Sequence, residues 1–360
     1  MLPATDVERL ATPGMIEAIA RRVGDRPVYL SVDIDVLAPA YDRAQVTGIA
    51  TAHIGHELLS ALALRKASDA GKLASTLVRA GFRDGGGMAR AAMHLVDANR
   101  DSNGFTTVGE AIRSASSGDR IFVRPGRYEE SLLIDKPLEI IGDGPLARIE
   151  IVGTFDHVLN FRAETGLVVN LTLSQPSGPP HQGVFIACGQ LDLEGCDISS
   201  RTGSGVYILG GSKPILRRNM IHFAMEVGVL FQKGGGGTLE DNEITGCGLD
   251  GVEVQAGSDP VLRRNVIRDS REDGVYIHDG GLGTFEENQI TGNKQRGVAI
   301  AGSPTLRRNQ ITGNKWCGIQ AWGGGGGLAE DNDLTGNGLG AWELDWKTKH
   351  RITRARNKEK

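Results

Sequence analysis

Short stretches of alternating apolar and polar residues recur through the C-terminal two thirds of the chain. Each begins with glycine, as in Gly205-Val-Tyr-Ile, Gly251-Val-Glu-Val and Gly274-Val-Tyr-Ile. Alternation with a period of two, rich in Val and Ile, predicts short strands with one face turned inward. Further apolar residues, as in Asn265-Val-Ile267 and Asn288-Gln-Ile290, indicate about three such strands in each repeat, separated by turns of Gly, Asn or Pro.

A four-residue phrase marks the same point of successive repeats, and the sign of its charge reverses from one copy to the next. The six copies are Leu216-Arg-Arg-Asn219, Leu239-Glu-Asp-Asn242, Leu262-Arg-Arg-Asn265, Phe285-Glu-Glu-Asn288, Leu306-Arg-Arg-Asn309 and Ala329-Glu-Asp-Asn332. Their asparagines lie 23, 23, 23, 21 and 23 residues apart. A fixed period in this range is typical of a solenoid, in which each repeat buries its apolar face against its neighbours.

Strands and period together predict an all-β fold, a parallel β-helix solenoid. The main alternative is a leucine-rich repeat, which also has a period in the twenties and an asparagine. That fold needs several spaced leucines before the asparagine, whereas here one leucine stands three positions before it, as Leu262 does before Asn265. We expect right-handed coils, because parallel crossover connections are almost always right-handed.

Corresponding residues of neighbouring coils would stack about 4.8 Å apart, which is the spacing of paired strands. We therefore expect the asparagines to form a ladder at a bend, where asparagine tolerates left-handed backbone angles and its amide bonds the coils above and below. Cys196, 23 residues before Asn219, occupies the same slot. The alternating charges predict attraction between coils, and the interleaved acids argue against a nucleic-acid site.

The beginning of the repeat region has a motif of its own. The segment Phe105 to Arg113 predicts a short helix that covers the end of the stack, and Gly118-Asp-Arg-Ile-Phe-Val-Arg-Pro-Gly-Arg-Tyr follows it. This motif and the Leu-x-x-Asn-x-Ile and Gly-Val-x-Ile repeats resemble the right-handed parallel β-helix proteins of the pectin-lyase-like superfamily, especially the repeats called carbohydrate-binding and sugar-hydrolysis domains. We place the β-helix at residues 104–344 and interpret residues 345–360 as a solvated basic tail.

A different pattern stands at the front of the chain. Residues 26–41 read as an apolar strand that ends in Asp33 and Asp35, whose side chains would share one face and suit a divalent metal. The segment resembles the Ser-x-Asp-x-Asp-x-x-Asp-Pro motif of the ureohydrolases, the arginase and agmatinase family, which implies two manganese ions that activate water. Ala38 replaces the third motif Asp, and the family's earlier metal-binding segments have no counterpart.

Two ligands cannot hold a pair of metal ions, so we expect a truncated ureohydrolase-like fragment without activity. Residual metal-dependent activity at Asp33 and Asp35 is the less favoured hypothesis. The fragment covers residues 1–65 and forms a short α/β extension, and residues 66–103 serve as a connector.

Composition narrows the possible partners and the location. The formal net charge is −4, which predicts no general affinity for nucleic acid or for an anionic membrane. No uninterrupted apolar stretch approaches the roughly 18 residues of a membrane span, and no basic segment with an apolar core opens the chain, so we expect a cytoplasmic protein. The four cysteines form no C-x-x-C pair, and we expect no cofactor.

Function is expected on the columns that do not repeat. If Val and Ile of the Gly-Val-x-Ile strands point inward, the intervening residues line an outer face that combines aromatic rings with hydrogen-bonding groups. Such a strip suits sugars, since rings cover C–H surfaces and polar groups bind hydroxyls. The predicted ligand-binding residues are Tyr207, Glu253, Gln255, Tyr276, His278 and Trp322.

Two functional hypotheses remain open. The favoured one is a non-catalytic β-helix that binds a glycan or a protein partner along this face. The alternative is a polysaccharide-modifying enzyme of the lyase, hydrolase or epimerase type, the activities that the resemblance implies, with Glu253, Tyr276 and His278 as catalytic residues. Glu253 stands alone among acids in its column, and nothing in the spacing requires catalysis.

Overall fold

Three sheets of parallel strands run along the protein, and each coil contributes one short strand to each sheet in turn. The computed structural model describes residues 91–99 and 104–360. The sheets contain 12, 9 and 10 strands, and each strand pairs with the equivalent strand of the next coil. This confirms the prediction of an all-β parallel solenoid. Asp33, Asp35 and the predicted ureohydrolase-like fragment lie outside the described residues.

The strands are numbered in chain order. The first sheet contains β1 (Met93–Val96), β2 (Arg120–Val123), β5 (Glu139–Gly142), β8 (Thr165–Val169), β11 (Gln190–Glu194), β14 (Ile215–Arg217), β17 (Gly236–Glu240), β20 (Asp259–Arg263), β23 (Thr284–Glu286), β26 (Thr305–Arg307), β29 (Gly327–Glu330) and β31 (Ile352–Ala355). The second sheet contains β3 (Gly126–Glu129), β6 (Ile149–Val152), β9 (Thr172–Gln175), β12 (Asp197–Ser200), β15 (Met220–His222), β18 (Glu243–Thr245), β21 (Val266–Arg268), β24 (Gln289–Thr291) and β27 (Gln310–Thr312).

The third sheet carries the Gly-Val-x-Ile strands. It contains β4 (Leu132–Ile134), β7 (Leu159–Phe161), β10 (Val184–Ile186), β13 (Val206–Ile208), β16 (Val229–Phe231), β19 (Val252–Val254), β22 (Val275–Ile277), β25 (Val298–Ile300), β28 (Ile319–Ala321) and β30 (Trp342–Leu344). One α-helix, α1 (Val108–Ser114), and two 3₁₀ turns (Leu146–Arg148 and Thr348–His350) complete the described chain. None of these helical segments is long and apolar enough to cross a membrane.

The core is a column of aliphatic side chains inside the coils. In one coil Val252 and Val254, Leu262 and Ile267 contribute from the three sheets, and all four are fully buried. The glycine that precedes the third-sheet strands from β10 to β28 is needed for this packing. A Cβ on Gly251 would lie 2.4 Å from Cγ2 of Ile267 and 2.6 Å from the carbonyl oxygen of the next glycine.

The asparagines form the predicted ladder at the turn between the first and second sheets. Asn265 donates from Nδ2 to the carbonyl of Leu239 (2.9 Å) and to Oδ1 of Asn288 (2.9 Å), while its own Oδ1 accepts the backbone N–H of Asn242 (3.0 Å). Cys196 donates its N–H to Asn219 in the same way, as its slot predicts.

The residue with left-handed backbone angles is the one before each asparagine, which corrects the sequence prediction. Arg264, for example, has φ 53°. The asparagine itself is buried, and its amide is fully bonded. The exposed charged residue before it therefore adopts the left-handed backbone angles.

A second ladder, which the sequence reasoning missed, stabilises the turn between the second and third sheets. Asn293 donates to Oδ1 of Asn314 (2.9 Å), and Asn314 donates to Oδ1 of Asn337 (3.0 Å). All three follow a Thr-Gly pair, which ends a second-sheet strand in the case of Asn293 and Asn314, and that recurrence was visible in the sequence.

The alternating charges pair across coils as predicted. Arg217 bonds Glu240 at 3.3 Å, and Arg263 bonds Glu286 at 3.2 Å. Arg264 reaches back to Asp241 at 2.8 Å. Each acidic coil therefore lies between two basic ones, which favours one register of the stack.

The solenoid begins and ends beyond the predicted limits of 104–344. Strand β1 lies within the predicted connector and pairs with β2, and α1 packs its buried Val108, Ala111 and Ile112 against this end. The predicted basic tail is also structured, because β31 pairs with β29. The acids of the preceding coil attract its arginines, and Arg356 bonds Asp331 at 2.7 Å.

Candidate functional site

The outward surface of the third sheet between β13 and β28, which we call the third-sheet face, holds the predicted ligand-binding residues. In each strand the flanking Val and Ile side chains are buried, so the middle residue points outward. Glu253 and Tyr276 occupy this middle position in the neighbouring strands β19 and β22 and are register partners. The alternation in the sequence therefore predicts correctly that these middle side chains point outward, and their role in binding a ligand stays a prediction.

Glu253 is the centre of a hydrogen-bond network on this face. Its Oε1 accepts a bond from Nε2 of Gln255 (2.8 Å) and lies 2.8 Å from Nε2 of His278. The other ring nitrogen of His278 lies 3.0 Å from Oδ2 of Asp279. His278 thus bridges the carboxyl groups of Glu253 and Asp279.

Aromatic rings flank this network. Tyr276 stacks on His278 with ring centroids 4.5 Å apart and lies 6.0 Å from the ring of Trp322, nearly parallel to it. Five of the predicted residues are thus brought together, namely Glu253, Gln255, Tyr276, His278 and Trp322.

Tyr207 lies apart from them, two strands away in β13. It belongs to a second aromatic run, in which Phe185 lies 5.4 Å from Tyr207 and stacks on His157 at 4.6 Å. Burial raises the pKa of Tyr207, and the charge of Glu253 adds to this effect.

The residues that directly precede the glycines of the third-sheet strands form a column, which we call the turn column, and sequence reasoning missed three charged residues in it. Asp250, Asp273 and Arg296 each precede the glycine of a Gly-Val-x-Ile strand, 23 residues apart. Oδ1 of Asp250 accepts the backbone N–H of Asp273 (2.9 Å), and Asp273 accepts both the N–H (2.9 Å) and Nη1 (2.9 Å) of Arg296. Their common place in the repeat was the available signal.

Arg296 joins the turn column to the aromatic rings. Its guanidinium carbon lies 4.9 Å from the ring centroid of Trp316 and 5.3 Å from that of Trp322. These are cation–π distances. The arginine is therefore held by one carboxylate and two indole rings.

Burial raises the pKa of both aspartates in the turn column. Desolvation raises the pKa of Asp250 to about 8, and the nearby charges of Asp273, Glu272 and Glu253 raise it further. The pKa of Asp273 is also raised by burial, against the opposing effect of Arg296. Burial likewise raises the pKa of Tyr276, so its hydroxyl keeps its proton and acts as a hydrogen-bond donor.

Near the second aromatic run, two histidines and an aspartate form the one cluster in the described residues that could bind a metal ion. Asp156, His157 and His181 bring their ligand atoms within 4.8 Å of one another. However, Nδ1 of His157 accepts the backbone N–H of Gln182 (2.9 Å), so the neutral ring carries its proton on Nε2. A metal-bound histidine normally donates from its second nitrogen, so this arrangement suits a hydrogen-bond donor better than a ligand.

Two family models match the chain, one in the repeat region and one at the front. A family model described as the right handed beta helix region matches residues 160–305, and the arginase family model matches residues 1–76. No curated protein matches the sequence.

Solved structures share the fold at low identity. The alginate lyase from Paenibacillus sp. str. FPU-7 is 13% identical with a TM-score of 0.51, over 73% of this chain and 99% of that one. Pectate lyase Pel9A is 13% identical with a TM-score of 0.52, over 76% of this chain and 80% of that one. The front of the chain is thus similar to the arginase family, and the repeats form a right-handed parallel β-helix with the pectin-lyase-like fold.

Proposed function

We propose that the third-sheet face binds a polysaccharide and modifies it by acid–base catalysis. The observation that carries this proposal is the pairing of a buried carboxyl, Asp250, with a second carboxyl, Glu253, that is bonded by His278 and Gln255. Two acids in different environments are the usual equipment of enzymes that act on glycosidic bonds. This proposal favours the enzymatic hypothesis over non-catalytic binding.

The two acids have separate roles in this proposal. Asp250 keeps its proton at neutral pH because burial raises its pKa to about 8, and it serves as the general acid. Glu253 accepts the proton of the nucleophile or substrate, and His278 orients the carboxyl group of Glu253. Tyr276 donates a hydrogen bond and offers its ring to the sugar, so it positions the substrate.

The shape of the face suits an extended chain of sugars. Tyr276 and Trp322 lie beside the acids, and the run of His157, Phe185 and Tyr207 continues along the same sheet. Aromatic rings spaced along a sheet can stack on several sugar units of one polymer. Two solved proteins with this fold are named as lyases of alginate and of pectate.

Turnover by the full chain tests this proposal. The protein is incubated with a panel of plant and bacterial polysaccharides, and the release of reducing ends, of unsaturated products and of altered sugar residues is measured. We expect Asp250→Asn and Glu253→Gln each to lower kcat by roughly 10²- to 10⁴-fold. The controls are Asp259→Asn on the first sheet and Glu243→Gln on the second, which leave kcat unchanged.

Non-catalytic binding predicts a different result. A glycan or protein partner would then bind the face without any change in the glycan, and the two site variants would alter the dissociation constant alone. Turnover that survives in both site variants would also contradict the proposed roles.

A further inference from the structure

The three acids Asp250, Glu253 and Asp273 already have hydrogen-bond partners within the protein. Asp273 is 3% exposed and holds Arg296 through two bonds, and burial keeps the proton on Asp250. Glu253 already accepts from Gln255 and lies within bonding distance of His278. Each charged group thus has a protein partner before any ligand arrives.

Arg296 is the one arginine or lysine in the three columns of the third-sheet face across β13 to β28. These columns are the turn column (Ser204, Val227, Asp250, Asp273, Arg296, Cys317), the middle column (Tyr207, Leu230, Glu253, Tyr276, Ala299, Gln320) and the column that follows it (Leu209, Gln232, Gln255, His278, Ala301, Trp322). The side chain of Arg296 is 19% exposed: Nη1 donates to Asp273, the guanidinium lies against the two indole rings, and Nε is buried without a hydrogen-bond partner.

Because the acids of the site are bonded or protonated and its one arginine is bonded to Asp273, we propose that the substrate is an uncharged polysaccharide, and that the modification is hydrolysis. This inference rests on the proposed function and names its substrate class. A polyuronate would place a carboxylate on every unit against Asp250, Glu253 and Asp273 with no free cation in the three columns to meet it. A polymer of free amino sugars would need an unpaired carboxylate, and these acids are already bonded or protonated.

Hydrolysis also fits the groups better than elimination does. Elimination and epimerisation of uronates remove a proton beside the sugar carboxylate, and the carbanion needs a positive group to stabilise it. In hydrolysis, the proton of Asp250 passes to the leaving glycosidic oxygen as its bond to the anomeric carbon breaks. The oxygen of a water molecule bonds to that carbon, and the water's proton passes to Glu253.

Binding selectivity tests the substrate class separately from turnover. The full-length Glu253→Gln protein is titrated with a neutral β-glucan, a mannan and a galactan, and with polygalacturonate, alginate and chitosan, at low and high salt and with or without calcium. We expect at least one uncharged polymer to bind at least tenfold more tightly than every charged one, with little dependence on salt. The wild-type protein is titrated in parallel to show that the substitution does not create the selectivity.

Two results would overturn the substrate class. One is binding of a polyuronate, alone or bridged by calcium, at least as tight as that of the best uncharged polymer. The other is failure of every uncharged polymer to bind. If an uncharged polymer binds selectively but the wild type releases no reducing ends from it, the catalytic proposal fails while the ligand class stands.

A charge variant sharpens the test. Gln232→Lys adds a cation to the column that contains Gln255, and Gln310→Lys adds one to the outer face of the second sheet. We expect polygalacturonate binding at low salt to strengthen several-fold in the first variant and to stay unchanged in the second. Equal strengthening in both would show that net charge, and not the charge of the third-sheet face, excludes polyuronates.

Discussion

Nε2 of His278 lies 2.8 Å from Oε1 of Glu253 while the imidazole ring stacks on Tyr276 with centroids 4.5 Å apart. The histidine thus fixes the orientation of the carboxylate and of the ring that would carry the sugar. Tyr276 and His278 lie two positions apart in the chain, and Glu253 lies opposite Tyr276 in the preceding coil. These placements bring the histidine into contact with both residues.

Replacing this histidine separates positioning from folding. We expect His278→Gln to lower kcat by roughly 10²-fold, at the low end of acid–base contributions, with a smaller change in KM, because the amide keeps a donor but loses the ring geometry. His222→Gln is the matched control, since His222 forms a similar pair with Asp197 (2.6 Å) on the second sheet. Steady-state kinetics on the same glycan check this, and an equal loss in the two variants would contradict a positioning role.

Asp250 makes stability depend on pH. Its pKa is about 8 in the folded protein against 3.8 in the unfolded chain, so the folded state holds a proton that unfolding releases between these values. Stability from this group is present below pH 4, falls as pH rises towards 8 with a slope approaching about 1.4 kcal/mol per pH unit, and is then constant.

The Asp250→Asn variant should remove this contribution. The amide oxygen can still accept the N–H of Asp273, and no charge is buried at high pH. We expect the variant's thermal midpoint to rise relative to wild type as pH increases from 5 to 8, while Asp259→Asn, at an exposed site, tracks the wild type. The two midpoints differing by the same amount at every pH would argue against a protonated Asp250.

The asparagine ladder can be broken at its centre. Asn265→Ala removes the acceptor of two donors, the backbone N–H and Nδ2 of Asn242, and takes the Nδ2 donor away from the Leu239 carbonyl. Oδ1 of Asn288 keeps the backbone N–H of residue 265. Each buried unsatisfied group costs about 1–3 kcal/mol, so we expect a loss of at least about 2 kcal/mol in unfolding free energy. Urea unfolding measures it, with Gln289→Ala, an exposed outward residue, as the control that changes little.

The charge ladder is expected to respond to salt. Arg263 lies in register between Glu240 and Glu286, so Arg263→Glu places three acids in a row. We expect a lower thermal midpoint than for Arg263→Gln, and the difference should shrink in 1 M NaCl because exposed charges are screened. A difference independent of salt would mean that repulsion between the acids is not its cause.

The sequence predicts where a side chain lies only if its residue follows the period-two alternation of a strand. Glu253, Tyr276 and His278 were found together because alternation fixes their face and the repeat fixes their coil. Arg296 was missed because it precedes its strand, where the period of two gives no direction for a side chain. Trp316 and Trp322 belong to the neighbouring coil, and no spacing along the chain predicts their contacts with Arg296.

The end of the solenoid was missed for a related reason. Asn357 follows Asn332 after 25 residues, and the leucine position of the phrase holds Arg354. The spacing of 25 residues and the arginine in the core position both differ from the other repeats. The many basic residues of this segment therefore led to the prediction of a solvated tail. Asn332 nevertheless donates from its backbone and from Nδ2 to Oδ1 of Asn357, at 3.0 and 2.9 Å.

This last rung gives a prediction about local stability. Asn357→Ala leaves two donors of Asn332 without their acceptor, and strand β31 loses the side-chain bond from Asn357 to the carbonyl of Ala329 (2.9 Å). In a solenoid each coil contacts only its neighbours, so the damage should remain local. We expect amide hydrogen exchange to accelerate in β29 and β31 and to stay unchanged in β14 and β17. Lys360→Ala is the control that alters neither, and faster exchange along the whole stack would show instead that the coils unfold as one unit.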